Sequence, residues 1–321
     1  MTVNVTSSYH FNTSNGTTYE PLTASKIISA VVLLLTFVFG LVGNTLYLWV
    51  LWFRMRKTIN TTWFFHLILG NLFFTLIIPF ATVYFMMKPH WMFGLFMCKF
   101  INVFLSLAMF AAVFVLTTIS IDRYCLVFHP VWYRNHMNPQ NASIICIFWW
   151  IIAFLISSPY LVFRQVKDDD KNITICYNDF TSFGKWNEQQ LKWSLFSVRL
   201  LMGLLIPFAI VAYCYLQIFI KMKKEGLARS SKPYKIIIIA ILSFFISWTP
   251  YHIWYGMSVE GSVQESILQP LQVLTTCLSC INSCFTPLLY LFVVESFKNM
   301  FRKSLFHLIE SVLKETFSEN K

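Results

Sequence analysis

The sequence predicts an all-α membrane protein: a bundle of seven transmembrane helices followed by a short amphipathic helix on the membrane surface. Three observations carry this prediction. Seven stretches, 27–53, 58–87, 100–121, 135–163, 200–220, 236–259 and 266–294, contain no Lys, Arg, Asp or Glu. Each is at least about 20 residues long, the length that an α-helix needs to cross a hydrocarbon core of about 30 Å. Lipid offers backbone groups no partners, so each crossing segment must bond to itself as a helix. The composition is 57% hydrophobic and only 12% charged, which a soluble domain of 321 residues would not keep from aggregating. Finally, the basic residues are sorted by side.

Sixteen of the 25 Lys and Arg fall on one side, from Arg54, Arg56 and Lys57 through Arg123 and Arg134 to the loop after the fifth stretch and the C-terminal segment. The opposite loops hold seven, offset after the fourth stretch by Asp168, Asp169, Asp170, Asp179 and Glu188. Cationic loops stay cytoplasmic, so the N-terminus is expected outside and the C-terminus inside. The net charge of +11 is then a topology signal and an attraction to anionic inner-leaflet lipid, not a nucleic-acid footprint.

In chain order, residues 1–25 read as an extracellular glycosylated tail. Asn4, Asn12 and Asn15 open N-x-Ser/Thr triplets there, and Asn172 opens one in the loop after the fourth helix. Two further triplets, at Asn60 and Asn141, fall on the cytoplasmic side. No basic n-region precedes an apolar core, so the first helix serves as the insertion signal. Residues 26–293 form the transmembrane domain. Residues 294–313 form the amphipathic helix, with Phe297, Phe301, Leu305, Leu308, Ile309 and Val312 on one face beside Lys298, Arg302 and Lys303. Residues 314–321 are a cytoplasmic tail. Of eight cysteines only Cys98 and Cys176 are both extracellular, and an oxidising exterior makes a disulfide between them the expectation.

Motifs at fixed places accompany these helices. Helix 1 has Gly43-Asn44; helix 3 ends in Asp122-Arg123-Tyr124, 25 residues after Cys98; helix 4 has Trp150 and Pro159; helix 5 has Pro207 and Tyr215. Helix 6 has Phe244 and Ser247-Trp248-Thr249-Pro250, and helix 7 has Thr286-Pro287-Leu288-Leu289-Tyr290. Together they resemble the rhodopsin-like (class A) G-protein-coupled receptors over about residues 26–312. The short third cytoplasmic loop, Trp91-Met92-Phe93-Gly94 and Arg199 resemble the chemoattractant branch, which includes formyl-peptide, complement-anaphylatoxin and chemerin receptors.

The resemblance implies a plasma-membrane receptor that binds an extracellular peptide or acidic ligand and activates a Gi-type heterotrimeric G protein. It implies that Arg123, released from Asp122, packs against Tyr215 and Tyr290 in the G-protein crevice, and that Trp248 with Phe244 forms an aromatic switch beneath the ligand. The alternative for Trp248 is lipid-facing packing. Prolines in helices 5, 6 and 7, including Pro250 and Pro287, remove backbone donors and create hinges.

Arg199 is the one basic residue deep in the transmembrane region, eight residues before Pro207 and so about 12 Å toward the outside. Such a residue defaults to facing the bundle interior; the alternative is snorkelling to the interface. Related receptors meet a ligand carboxylate with an Arg at this position. Leu105, Ser106 and Met109 on helix 3, Tyr251, His252 and Tyr255 on helix 6, and Thr276 on helix 7 would complete an aromatic, mildly polar cavity. Leu105 stands where amine receptors carry an Asp, which argues against an amine ligand. Helix 7 has no Lys for a retinal Schiff base, so no cofactor is expected.

The sequence departs from the family at Asn71, Ala112 and Thr286, where its members build a buried sodium site; sodium insensitivity and no metal site are expected. No Cys follows Cys284, and only Ser304, Ser311, Thr316 and Ser318 follow the bundle, so modest arrestin recruitment is expected. A non-signalling scavenger receptor is the alternative within the family. A transporter would need paired intramembrane charges or repeats. An enzyme would need a metal-ligand cluster or a nucleophile–base arrangement, and neither is evident.

Overall fold

The structure, a computed structural model, describes residues 24–87, 90–169, 173–181, 187–225 and 232–293, without the side chains of 24, 25, 232–236, 265 and 285–293. The amphipathic segment and the sequons at Asn4, Asn12, Asn15 and Asn172 lie outside these residues. Helices α1 (Ala24–Phe53), α2 (Ile59–Met87) and α3 (Gly94–Phe128) are continuous rods. A short α4 (Pro130–His136) follows, then α5 (Pro139–Ser157) and α6 (Pro159–Phe163), which make the fourth rod. The fifth rod is α7 (Glu188–Leu200), a π-helical turn (Leu201–Leu205) and α8 (Ile206–Lys224). Helices α9 (Lys232–Glu260) and α10 (Glu265–Val293) complete the set. Among the described residues six rods are long and apolar enough to cross a membrane. The seventh, α10, has 29 residues.

Several rods run beyond the charge-free stretches that predict them. α3 takes in Lys99, Asp122 and Arg123, because a helix continues into the interfacial region where charge is tolerated. The π turn sits immediately before Pro207. Proline has no N–H to give the carbonyl four residues back, at Gly203, and the Ile206 N–H reaches five residues back to Leu201.

α3 is the axis of the bundle. Its residues Leu107–Leu116 are all buried, and it packs against α2, α5, α6 and α8. The apolar residues left exposed lie on the opposite faces, such as Leu34, Val38 and Phe39 of α1, Ile147, Ile151 and Phe154 of α5, and Phe208, Leu216 and Phe219 of α8. A water-soluble protein would bury such continuous apolar faces; lipid solvates them.

One end carries a feature that the all-α expectation omits. β1 (Arg164–Asp168) and β2 (Thr174–Asn178) form an antiparallel hairpin, with Val166 opposite Cys176. A Cys98–Cys176 disulfide, Cα atoms 5.8 Å apart, ties it to the start of α3. The Trp91 N–H donates to the Thr174 carbonyl at 2.7 Å, and the Trp91 indole N–H donates to the Gly94 carbonyl at 2.9 Å. Gly94 starts α3 at φ 70°, a left-handed conformation that other residues adopt only with strain. The hairpin is thus held from two sides above the bundle mouth.

Candidate functional site

Arg199, in the last turn of α7, is 7% exposed and faces the bundle interior rather than the interface. Val198 before it and Leu201 in the following π turn are exposed instead. Its Nη1 donates to the Ser106 hydroxyl at 3.2 Å and to the Tyr160 hydroxyl at 2.8 Å, and its Nη2 approaches the Met109 sulfur at 3.8 Å. Four rings surround the guanidinium: Tyr251 at 5.1 Å, Tyr255 at 5.5 Å, and Phe110 and Tyr160 at 5.7 Å. These distances suit cation–π attraction. Among the described residues no carboxylate pairs with Arg199, and its Nε has no partner.

His252, 1% exposed, lies just below, with neither ring nitrogen hydrogen-bonded among the described residues. It reaches helix 5 at Gly203, where an added Cβ would lie 3.2 Å from the His252 ring and 3.3 Å from Met109 and Phe110. A Cβ there would press on all three side chains, each of which would have to give by a few tenths of an ångström. Ser106, Met109, Tyr251, His252 and Tyr255 therefore gather around one buried cation. Leu105 is half-buried between the core and the Trp91–Cys98 cluster. Thr276 donates to the Gln272 carbonyl of its own helix at 2.8 Å. Tyr160 and Phe110 belong to the site and were not anticipated. Their only signal is an aromatic one residue after Pro159 and one beside Met109.

An aromatic column leads away from the site. The Tyr251 ring lies 5.5 Å from Trp248 at 80°, and Trp248 lies 5.9 Å from Phe244 and 5.7 Å from Phe74 of α2. Trp248 is 6% and Phe244 2% exposed, so both are interior and lipid-facing packing is excluded for them. Pro250 lies inside α9 two residues beyond Trp248.

Beneath the column is a cavity of about 10 Å³, lined by residues including Asn71, Ala112, Ser279, Asn282 and Ser283 and by no carboxylate. At the far end Asp122 and Arg123 pair at 3.2 Å. The Tyr133 hydroxyl of α4 donates to Asp122 Oδ1 at 2.7 Å, and Arg123 Nη2 donates to Asn60 Oδ1 at the start of α2. Burial, and then the bonded Asp122 carboxylate, push the Tyr133 hydroxyl above the ordinary tyrosine range. Tyr124 stacks on Phe128 at 4.6 Å, and Tyr215 is half-buried at the edge of the core. Pro287 and Tyr290 fall on the helical backbone of α10, and their side chains lie outside the described residues.

Residues 43–290 match the family model described as 7 transmembrane receptor (rhodopsin family). The chain belongs to this family. The receptor is 42% identical over 304 residues to "Probable G-protein coupled receptor 33" of Pan troglodytes, covering 92% of this chain and 90% of the relative. It is 35% identical over 293 residues to the "C3a anaphylatoxin chemotactic receptor" of Oncorhynchus mykiss, covering 90% and 80%. It is also 36% identical over 289 residues to "Chemerin-like receptor 1" of Sus scrofa, covering 86% and 79%. These relatives match the chemoattractant branch, and the family consists of signalling receptors, not enzymes.

Proposed function

We propose that the receptor binds an extracellular ligand through a carboxylate, as in a peptide C-terminus or an acidic lipid, and passes the event to a Gi-type G protein at its cytoplasmic face. The observation that carries the reading is Arg199: a buried guanidinium held by hydroxyls, a thioether and rings, with no carboxylate partner among the described residues. A desolvated cation gains most from an anion, and the planar guanidinium suits a carboxylate. Two relatives are named for C3a and for chemerin, which supports a peptide or protein ligand.

In this reading the ligand displaces part of the ring cage. Because Tyr251 touches both Arg199 and Trp248, its movement loads the Trp248–Phe244 pair beside Pro250. A shift of α9 about that proline then frees Arg123 for the G protein. The glycosylated tail of residues 1–25 and Asn172 face outside, and residues 294–313 lie on the inner leaflet.

The test is G-protein dissociation in cells expressing the receptor, screened with chemotactic peptides as paired free acids and C-terminal amides, and with acidic lipids. Free acids are expected to act and their amides to fail, and Arg123→Ala is expected to abolish the response. Equal potency of acid and amide removes the carboxylate assignment. Ligand uptake by the wild-type receptor without any G-protein response, unchanged in Arg123→Ala, indicates the scavenger reading, which the uncharged cavity around Asn71 favours.

A further inference from the structure

Among the described residues, Arg123 sits on a face nearly emptied of carboxylates. No Asp or Glu occurs between Glu225 and Glu260, so the start of α9 supplies none. None occurs in residues 54–71 or 124–138 either. Glu225 is engaged by Lys221 at 3.9 Å. Among the described residues the carboxylate that remains is Asp122, whose Oδ1 already accepts from Tyr133 and whose Oδ2 faces Arg123. The guanidinium, with its side chain 13% exposed, finds its other acceptor in the Asn60 amide.

The turn that presents Asn60 is fixed. The Thr58 N–H donates to Thr61 Oγ1 at 2.8 Å, and the Thr61 N–H donates back to Thr58 Oγ1 at 3.2 Å. Thr61 Oγ1 also bonds the Arg56 carbonyl at 3.2 Å, and Thr62 Oγ1 bonds the Thr58 carbonyl at 3.0 Å. This reciprocal cap holds the first turn of α2 against the loop before it. Asn60 therefore offers Arg123 an acceptor whose position does not have to be found.

We propose that Asn60 is the latch that keeps Arg123 in its closed position, and that the neutrality of its amide sets how readily the receptor opens. Arg123 cannot turn toward a partner in the crevice without breaking this bond. A guanidinium holds a carboxylate about twice as strongly as a neutral acceptor, so an amide latch is a weak one. The inference rests on the reading of this end as the G-protein face. It makes a two-signed prediction: removing the acceptor opens the receptor, and charging the acceptor closes it. A residue that only supports the α2 turn gives no such inversion.

The test uses the full chain in lipid nanodiscs, with purified Gi heterotrimer and no ligand. Asn60→Ala is expected to raise basal nucleotide exchange about tenfold and Asn60→Asp to lower it about tenfold, the worth of one charge-assisted bond. Thermal unfolding of the same discs provides a readout that needs no G protein. Asn60→Asp should raise the midpoint and Asn60→Ala lower it; in an Arg123→Ala background the Asn60→Ala shift should vanish and the Asn60→Asp shift shrink to what the helix N-terminus alone supplies. That background matters because an Asp near a helix N-terminus is favourable on its own. Shifts that are as large without Arg123 as with it overturn the latch, as does an Asn60→Asp receptor that matches wild type in midpoint and exchange. If midpoints follow the acceptor while no variant exceeds empty discs in exchange, the latch stands and G-protein coupling falls.

Discussion

Arg199 and Arg123 each carry a charge out of bulk water near opposite ends of the bundle, and their surroundings differ in kind. Arg199 has two hydroxyls, a thioether and four aromatic rings. Arg123 has an adjacent carboxylate and an amide, and a tyrosine hydroxyl occupies the other carboxylate oxygen. Dipoles and ring faces orient a cation without neutralising it, whereas a carboxylate neutralises it. The first arginine therefore keeps an unspent attraction for an anion from outside the chain. The second is neutralised by its own neighbour and becomes available only when its partners let go.

That difference predicts opposite responses to removing a charge. Asp122→Ala leaves Arg123 buried beside neutral acceptors, and breaking a buried pair from one side costs about 3–5 kcal/mol. A large drop in the thermal midpoint of the purified receptor is expected, and an unchanged midpoint means that the pair is solvated in practice. Arg199→Met works the other way. Replacing a buried, unneutralised charge with an apolar side chain of similar length stabilises the unliganded receptor by about 1–4 kcal/mol. The same variant is expected to lose its response to carboxylate ligands. A lower midpoint for Arg199→Met shows that rings and hydroxyls satisfy the cation fully, and the contrast between the two arginines disappears.

The parts of this arrangement were unequally legible in the sequence. The rods were legible because lipid imposes a length and excludes charge, and both leave marks that survive in single residues. Arg199 stood out for the same reason, as a charge in an apolar run. Tyr160 and Phe110 did not, since a chain with 14 Tyr and 33 Phe offers many aromatics that read equally well as packing. The hairpin was not legible because its strands, Arg-Gln-Val-Lys-Asp and Thr-Ile-Cys-Tyr-Asn, show no sustained alternation. A disulfide and the Trp91–Thr174 bond hold it, and both partners are distant in sequence. Asn60 appeared only as a sequon on the wrong side of the membrane. Its role depends on α2 starting beside the end of α3, which no local pattern announces. Thr276 Oγ1 donates to the Gln272 carbonyl of its own helix, a local bond open to any helical threonine.

Between the two arginines lies the uncharged cavity, and it supplies the smallest effect. Its volume of about 10 Å³ is that of about one water. Asn44 Nδ2 donates to the Gly40 and Ser283 carbonyls at 2.8 and 3.1 Å, which removes oxygens that a cation would use. Asn71 Nδ2 and Asn44 Oδ1 have no hydrogen-bond partner among the described residues, so the region holds one open donor and one open acceptor but no charge. A sodium ion needs several oxygens and, in a buried site, a compensating charge. Exchanging sodium for choline at constant ionic strength is therefore expected to leave the thermal midpoint unchanged. Asn71→Asp should create a sodium-dependent rise by restoring the missing charge. A sodium-dependent midpoint in the wild-type receptor would mean that oxygen dipoles alone hold the ion. Dipoles without a carboxylate would then be enough to satisfy a buried cation at the centre of the bundle, and the case for an anionic ligand at Arg199 would weaken with it.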